Sequence, residues 1–63
     1  MAILYNNGDL TINVSRIDVL RISPMERTKV EVYLGDLTEV LSCSNEEDAK
    51  KIYKDIYSLM LQV

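Results

Sequence analysis

Apolar and polar residues in this chain alternate with a period of two over its first two thirds and take the spacing of a helix over the rest. The run Ala2-Ile3-Leu4-Tyr5 meets Asn6-Asn7-Gly8-Asp9, and Leu10-Thr11-Ile12-Asn13-Val14 follows. Asn-Gly is a strong hairpin signal, because a type I′ turn needs positive φ at both central residues. With Asn7-Gly8 in those places, Tyr5 faces Leu10 and Ile3 faces Ile12. Ile3, Tyr5, Leu10, Ile12 and Val14 then share one face, and Leu4, Thr11 and Asn13 the other. Beyond Ser15 strict alternation fails. Ile17 and Val19 share one parity, Leu20 and Ile22 the other. Either a short turn at Ser15–Asp18 precedes a third strand or a bulge switches its face. The strand runs from about Ile17 to Ser23, where Pro24 stops it and a polar loop to Thr28 begins.

Lys29-Val30-Glu31-Val32-Tyr33-Leu34 alternates cleanly, with Val30, Val32 and Leu34 inward. Gly35-Asp36 has the glycine first, as a type II′ turn requires. Leu37 to Cys43 makes a fifth strand. Pairing Leu34 with Leu37 sets Val32 opposite Glu39 and Val30 opposite Leu41. Glu39 then sits on the apolar face, so it lies at an exposed edge or the register differs.

Ser44-Asn45-Glu46-Glu47 fits a capping box, with Ser44 as the cap and Glu47 reaching back. The acids Glu46, Glu47 and Asp48 suit the positive end of a helix dipole. Ala49, Ile52, Tyr53, Ile56, Met60 and Val63 recur at helical spacing as a core-facing stripe. Tyr57 and Leu61 widen it on one side and Leu59 on the other. No repeat or linker interrupts the pattern. The fold class expected is α+β, as one domain over residues 1–63. It comprises a small antiparallel sheet of four to five strands, at about 2–6, 9–14, 17–23, 29–34 and 37–43, with one C-terminal helix at about 45–61 packed on one face.

Length sharpens this picture. A chain of 63 residues buries only about 60% of its unfolded surface. Its folding sum therefore comes out near zero without a disulfide, a metal or a partner. The one cysteine, Cys43, excludes an internal disulfide, and with no histidine an N/S zinc site is excluded too. Oligomerisation remains. The other face of a sheet covered by a single helix must be solvated or covered by another chain. Leu4, Val19, Tyr33, Val40, Tyr57 and Leu61 are the surplus apolar residues. As scattered surface groups they would be ordinary. As a set, Val19, Tyr33, Val40, Tyr57 and Leu61 form a candidate homo-oligomer interface, most simply a two-fold dimer or a higher assembly.

Charge and chemistry narrow the function. Net charge is −3, which disfavours a general nucleic-acid binder. Residues 1–29 carry a net +1 and residues 30–63 a net −4. Arg16, Arg21, Arg27 and Lys29, with Tyr33, are either a solvated rim or an anion-binding rim for a small nucleotide-like ligand, since arginine forks suit phosphate and carboxylate. Without histidine the commonest general base is missing. The two glycines belong to turns, so no phosphate-binding loop is present. Cys43 lacks an imidazole partner. A helix N-terminus nearby could lower its pKa, but a lone cysteine at a strand end is ordinarily a small hydrophobe. No enzyme, catalytic residue, metal or cofactor is expected. The start lacks a signal-peptide pattern and no stretch is long enough to span a membrane, which together with a free thiol reads as cytoplasmic.

The order of these motifs resembles the small flagellar-operon FlbD-type proteins. The matching residues are Asn7-Gly8, Ile17 with Leu20, Val30-Glu31-Val32 with Gly35, and Ser44 to Glu47. The acidic cap and tyrosine-rich helix depart from that group, and no functional residue is carried over. Size, acidity and lack of catalytic groups are also similar to small phage-encoded inhibitors of host defence. Missing catalytic groups, a small core and surplus apolar residues lead to a non-enzymatic, cytoplasmic binding protein acting stoichiometrically as a homo-oligomer, which as the product of a phage or mobile element would mask a host protein or sequester a small anionic signal in the host cytoplasm. One alternative is a bacterial regulatory or assembly accessory protein that binds a larger protein partner. A nucleic-acid binder is the third reading.

Overall fold

The protein is described by a computed structural model over residues 3–62. Ala2, expected in the first strand, and Val63, expected in the helix stripe, lie outside these residues. The elements are β1 (Leu4–Asn7), β2 (Leu10–Asn13), a 3₁₀ turn (Val14–Arg16), β3 (Val19–Ile22), β4 (Lys29–Leu34), β5 (Leu37–Ser42) and α1 (Glu46–Met60). The fold is α+β, as the alternation and the helical spacing require. The strands form two antiparallel sheets instead of one, β1-β2 and β3-β4-β5. Val14–Arg16 causes the division. This tight turn follows β2 at once, with Asn13 as its cap. Of the two possibilities at Ser15–Asp18, the turn is therefore the one found.

The first hairpin pairs Asn7 with Leu10 and Tyr5 with Ile12. Its turn is Gly8-Asp9, one residue later than Asn7-Gly8. Gly8 has φ +64°, and no non-glycine residue among those described has positive φ. A type I′ turn on Asn7-Gly8 would force asparagine into the left-handed region. A turn with only its first central φ positive asks this of glycine alone. The change moves Tyr5 from Leu10 to Ile12, a slide of two, so each side chain keeps its face. The second hairpin has the same turn at Gly35-Asp36, with Gly35 at φ +60° and Leu34 opposite Leu37. Both turns continue into Leu-Thr, so Gly-Asp-Leu-Thr occurs at residues 8–11 and again at 35–38.

The core lies on one face of the three-stranded sheet. Val30 and Val32 of β4 are fully buried and join Leu41, Ile12, Ala49 and Ile56 in one cluster. α1 packs against β3, β4 and the 3₁₀ turn. It is not the only cover. The first hairpin supplies Ile12 to the cluster, with Tyr5 and Leu10 packed against it. The same face of the sheet is thus covered twice, which a single-helix expectation missed. The opposite face has no covering element among the described residues.

The helix cap also differs from expectation. Asn45, not Ser44, is the N-cap, and its Oδ1 accepts from the Asp48 amide at 2.8 Å. Both residue types cap well, and the first helical residue decides which one serves. Asn45→Ala should therefore destabilise the fold by about 1 kcal/mol, while Ser44→Ala stays near neutral. Urea denaturation followed by circular dichroism measures both. Gly35→Ala meets no atom within 4 Å of its new Cβ, so its cost is purely backbone, about 1–2 kcal/mol for one left-handed alanine, read in the same assay.

Candidate functional site

The open face of β3-β4-β5 is built by strand parity. Neighbouring rows across it are Val19-Tyr33-Thr38 and Arg21-Glu31-Val40, followed by Lys29 opposite Ser42. Val19 is 48% exposed and Val40 47%. Three of the five expected interface residues, Val19, Tyr33 and Val40, therefore share one surface. Tyr57 and Leu61 do not join it, because Tyr57 lies on α1 and Leu61 caps that helix, on the covered side. There the Tyr57 ring stacks on Tyr53 with centroids 6.2 Å apart and planes within 6°. Four-residue spacing places Leu61 next along that flank.

At the centre of the open face the polar groups satisfy one another. Arg21 Nε donates to Glu31 Oε1 in an ion pair. Arg21 Nη2 donates to the Tyr33 hydroxyl at 3.1 Å, and that hydroxyl donates to Glu31 Oε1 at 3.3 Å. The guanidinium also lies 5.6 Å from the Tyr33 ring centroid, within cation–π range. Cross-strand pairing makes this inevitable, since Arg21 and Glu31 are direct partners and Tyr33 is two residues along.

The expected anion rim is therefore only partly assembled. Arg21 and Tyr33 meet, and Lys29 shares their face, but its ammonium pairs with Glu26 at 3.3 Å. Arg16 stands in the 3₁₀ turn and Arg27 in the loop after β3, both exposed. A fork that already holds a carboxylate is a poor phosphate receptor, because it must give up one anion to bind another. Glu31 escaped notice as a site residue in the sequence. Its alternation with Val30 and Val32 marks it as outward, and only the register shows that Arg21 is its partner.

Two clefts flank the hairpin. One, of about 410 Å³, lies between β2, the 3₁₀ turn and the β4–β5 hairpin, and is lined by Leu10, Ile12, Arg16, Leu34, Asp36 and Glu39 among others. The second, about 430 Å³, lies between β1 and the start of α1 and includes Tyr5, Cys43, Asp48, Lys51 and Asp55. Burial, then the nearby Asp48 carboxylate, pushes the Cys43 thiol up, opposite to an activated nucleophile. Burial also raises Tyr5, with Asp55 and Cys43 adding to it. Asp18 is a further residue the sequence did not single out. Its amide donates to the Tyr33 carbonyl at 2.8 Å and its carboxylate accepts from the Gly35 amide at 2.9 Å, which fastens the segment between the 3₁₀ turn and β3 to the β4–β5 hairpin. Among the described residues no group of three or more His, Cys, Asp or Glu is placed to hold a metal ion. No helix of the described residues is long and apolar enough to cross a membrane.

Both raised groups favour their neutral forms in the folded state. Each keeps its proton in the fold at a pH where the unfolded chain has lost it. Stability is therefore full below the ordinary thiol and phenol ranges and falls as pH rises through the raised values. Urea midpoints should decline above about pH 8.5, where a free cysteine begins to ionise, and the Tyr5→Phe/Cys43→Ser double variant should flatten that decline. Iodoacetamide should alkylate Cys43 in the folded chain more slowly at pH 7.5 than it alkylates free cysteine.

No protein-family model and no curated protein matches this chain.

Proposed function

We propose that this chain is a non-enzymatic protein that acts stoichiometrically, as a two-fold homodimer, to mask or assemble with a protein partner. The observation that carries the reading is the open face of β3-β4-β5, where Val19 and Val40 flank a closed Arg21–Glu31–Tyr33 cluster. Such a face is suited to burial. Its apolar groups gain from leaving water, and its two cations are already held by carboxylates, Arg21 by Glu31 and Lys29 by Glu26, so covering them strands no lone charge. A two-fold pairing doubles the same patch on itself. The shortage of core in a chain this small supports the same direction.

Sequestration of a small anionic signal is the weaker reading, since Arg21 is held by Glu31 and Lys29 by Glu26. A nucleic-acid role is weaker again for a chain of net −3 whose open-face cations are both paired. A phage-encoded inhibitor of a host protein and a flagellar-operon accessory are two settings in which a masking protein of this kind would serve, and a cytoplasmic location suits both.

Sedimentation equilibrium at micromolar concentration tests the dimer. The expected mass is twice that of the 7.2 kDa chain. Val40→Glu places a second carboxylate directly opposite Glu31 within the proposed contact and should weaken association at least tenfold, about 1.4 kcal/mol or more, while circular dichroism keeps the native signal. A clean monomer for the unaltered chain would end this reading.

A further inference from the structure

The two sheets each end in an unpaired strand, and two of those strands line the same cleft. Among the described residues β2 pairs only with β1, and β5 only with β4. No backbone hydrogen bond outside these ladders reaches Leu10–Asn13 or Leu37–Ser42 among the described residues. The cleft of about 410 Å³ is bounded by β2 on one wall and by the β4–β5 hairpin on the other, and Leu10, Ile12 and Leu34 line it. A row of free amides and carbonyls beside an apolar floor is the requirement for adding an extended strand.

We propose that this cleft is a slot for one extended segment of a partner protein, which adds as a strand to the free edge of β5 and carries a basic side chain that pairs with Glu39 and Asp36. Glu39 supplies the argument for the charge. It stands on the core-facing parity of β5, opposite the fully buried Val32. It is half-buried and makes no ion pair or side-chain hydrogen bond among the described residues. A carboxylate at a position where the pattern calls for an apolar group is costly to cover without a partner. An incoming lysine or arginine supplies one, and Asp36 on the same wall adds to the attraction. Arg16, on the opposite wall, likewise makes no ion pair among the described residues and can donate to carbonyls of the added strand. The segment's alternate side chains then fall on Leu10, Leu34 and the exposed Leu37, as the pleat demands. The competing role for Glu39 is that of an inward charge that keeps edge strands from pairing at all.

This inference rests on the reading of the chain as a protein-binding molecule, but it uses a different surface from the open face. The test is selection of a displayed library of random eight-residue segments against the full chain, followed by titration of the enriched peptides as synthetic, end-blocked compounds. The expected result is an alternating apolar pattern with lysine or arginine at one fixed place. Bound peptide should protect the amides of β5 and β2 from hydrogen exchange, and Glu39→Gln, with its fold intact by circular dichroism, should bind about tenfold more weakly. Asp36→Asn, in an exposed turn, serves as the second variant, with a smaller loss in the same direction. Enrichment without a basic position, equal affinity for Glu39→Gln, protection mapped elsewhere, or no enrichment at all would overturn the slot. A second copy of the chain occupying these edges, seen as protection of β5 on dilution-sensitive dimerisation without peptide, would overturn it as well. Sedimentation of the unaltered chain, run in parallel, reads the open-face dimer independently of the peptide result.

Discussion

The structure depends on burying Val30 and Val32 from one side. These two side chains of the central strand are fully shielded from solvent, and every other element is placed by the need to shield them. α1 brings Ala49 and Ile56 to them, and the first hairpin brings Ile12. A sheet three strands wide is too small to be packed on both faces by so short a chain. The chain therefore spends all its covering elements on one face, and the other remains open by default.

The hairpins that make this possible rest on local backbone chemistry. In both, the glycine alone takes positive φ and the following aspartate stays in the ordinary region. This returns the chain in two residues and sets the parity of every side chain in both strands. Asp18 then holds the second turn to the segment that joins the two sheets. The result brings residues of β2 and of the β4–β5 hairpin to a common cleft, although neither hairpin alone creates it.

Electrostatics organises the surface more than the interior. The open-face cations are paired with carboxylates, Arg21 with Glu31 and Lys29 with Glu26, and Lys50 pairs with Glu46 along the helix. Exposed pairs of this kind contribute little to stability. Their effect is to leave the open sheet face close to neutral, which suits contact with another protein better than contact with a phosphate. Against that background Glu39 and Arg16 stand out, because each lines the cleft without an ion-pair partner among the described residues.

The sequence by itself determined which residues face the core. Period-two alternation in β4 and helical spacing in α1 are direct records of burial, so Val30, Val32, Ala49 and Ile56 were legible one residue at a time. The second hairpin was legible too, because Leu34 before Gly35 leaves no Asn-Gly to compete with the Gly-Asp turn. Several features depended on the tertiary structure. Ser44 and Asn45 are equally good caps, and the helix start chose Asn45. Asn7-Gly8 and Gly8-Asp9 both make two-residue turns, and the choice fell to the one needing positive φ only at glycine. The split into two sheets follows from a 3₁₀ turn of three residues, too short for any periodicity to reveal. The grouping of Val19, Tyr33 and Val40 apart from Tyr57 and Leu61, the pairing of Arg21 with Glu31, and the cleft between β2 and β5 are relations between distant segments. Periodicity reports whether a side chain is inward or outward. Which outward side chains become neighbours is decided by register and packing, and these exist only once the chain has folded.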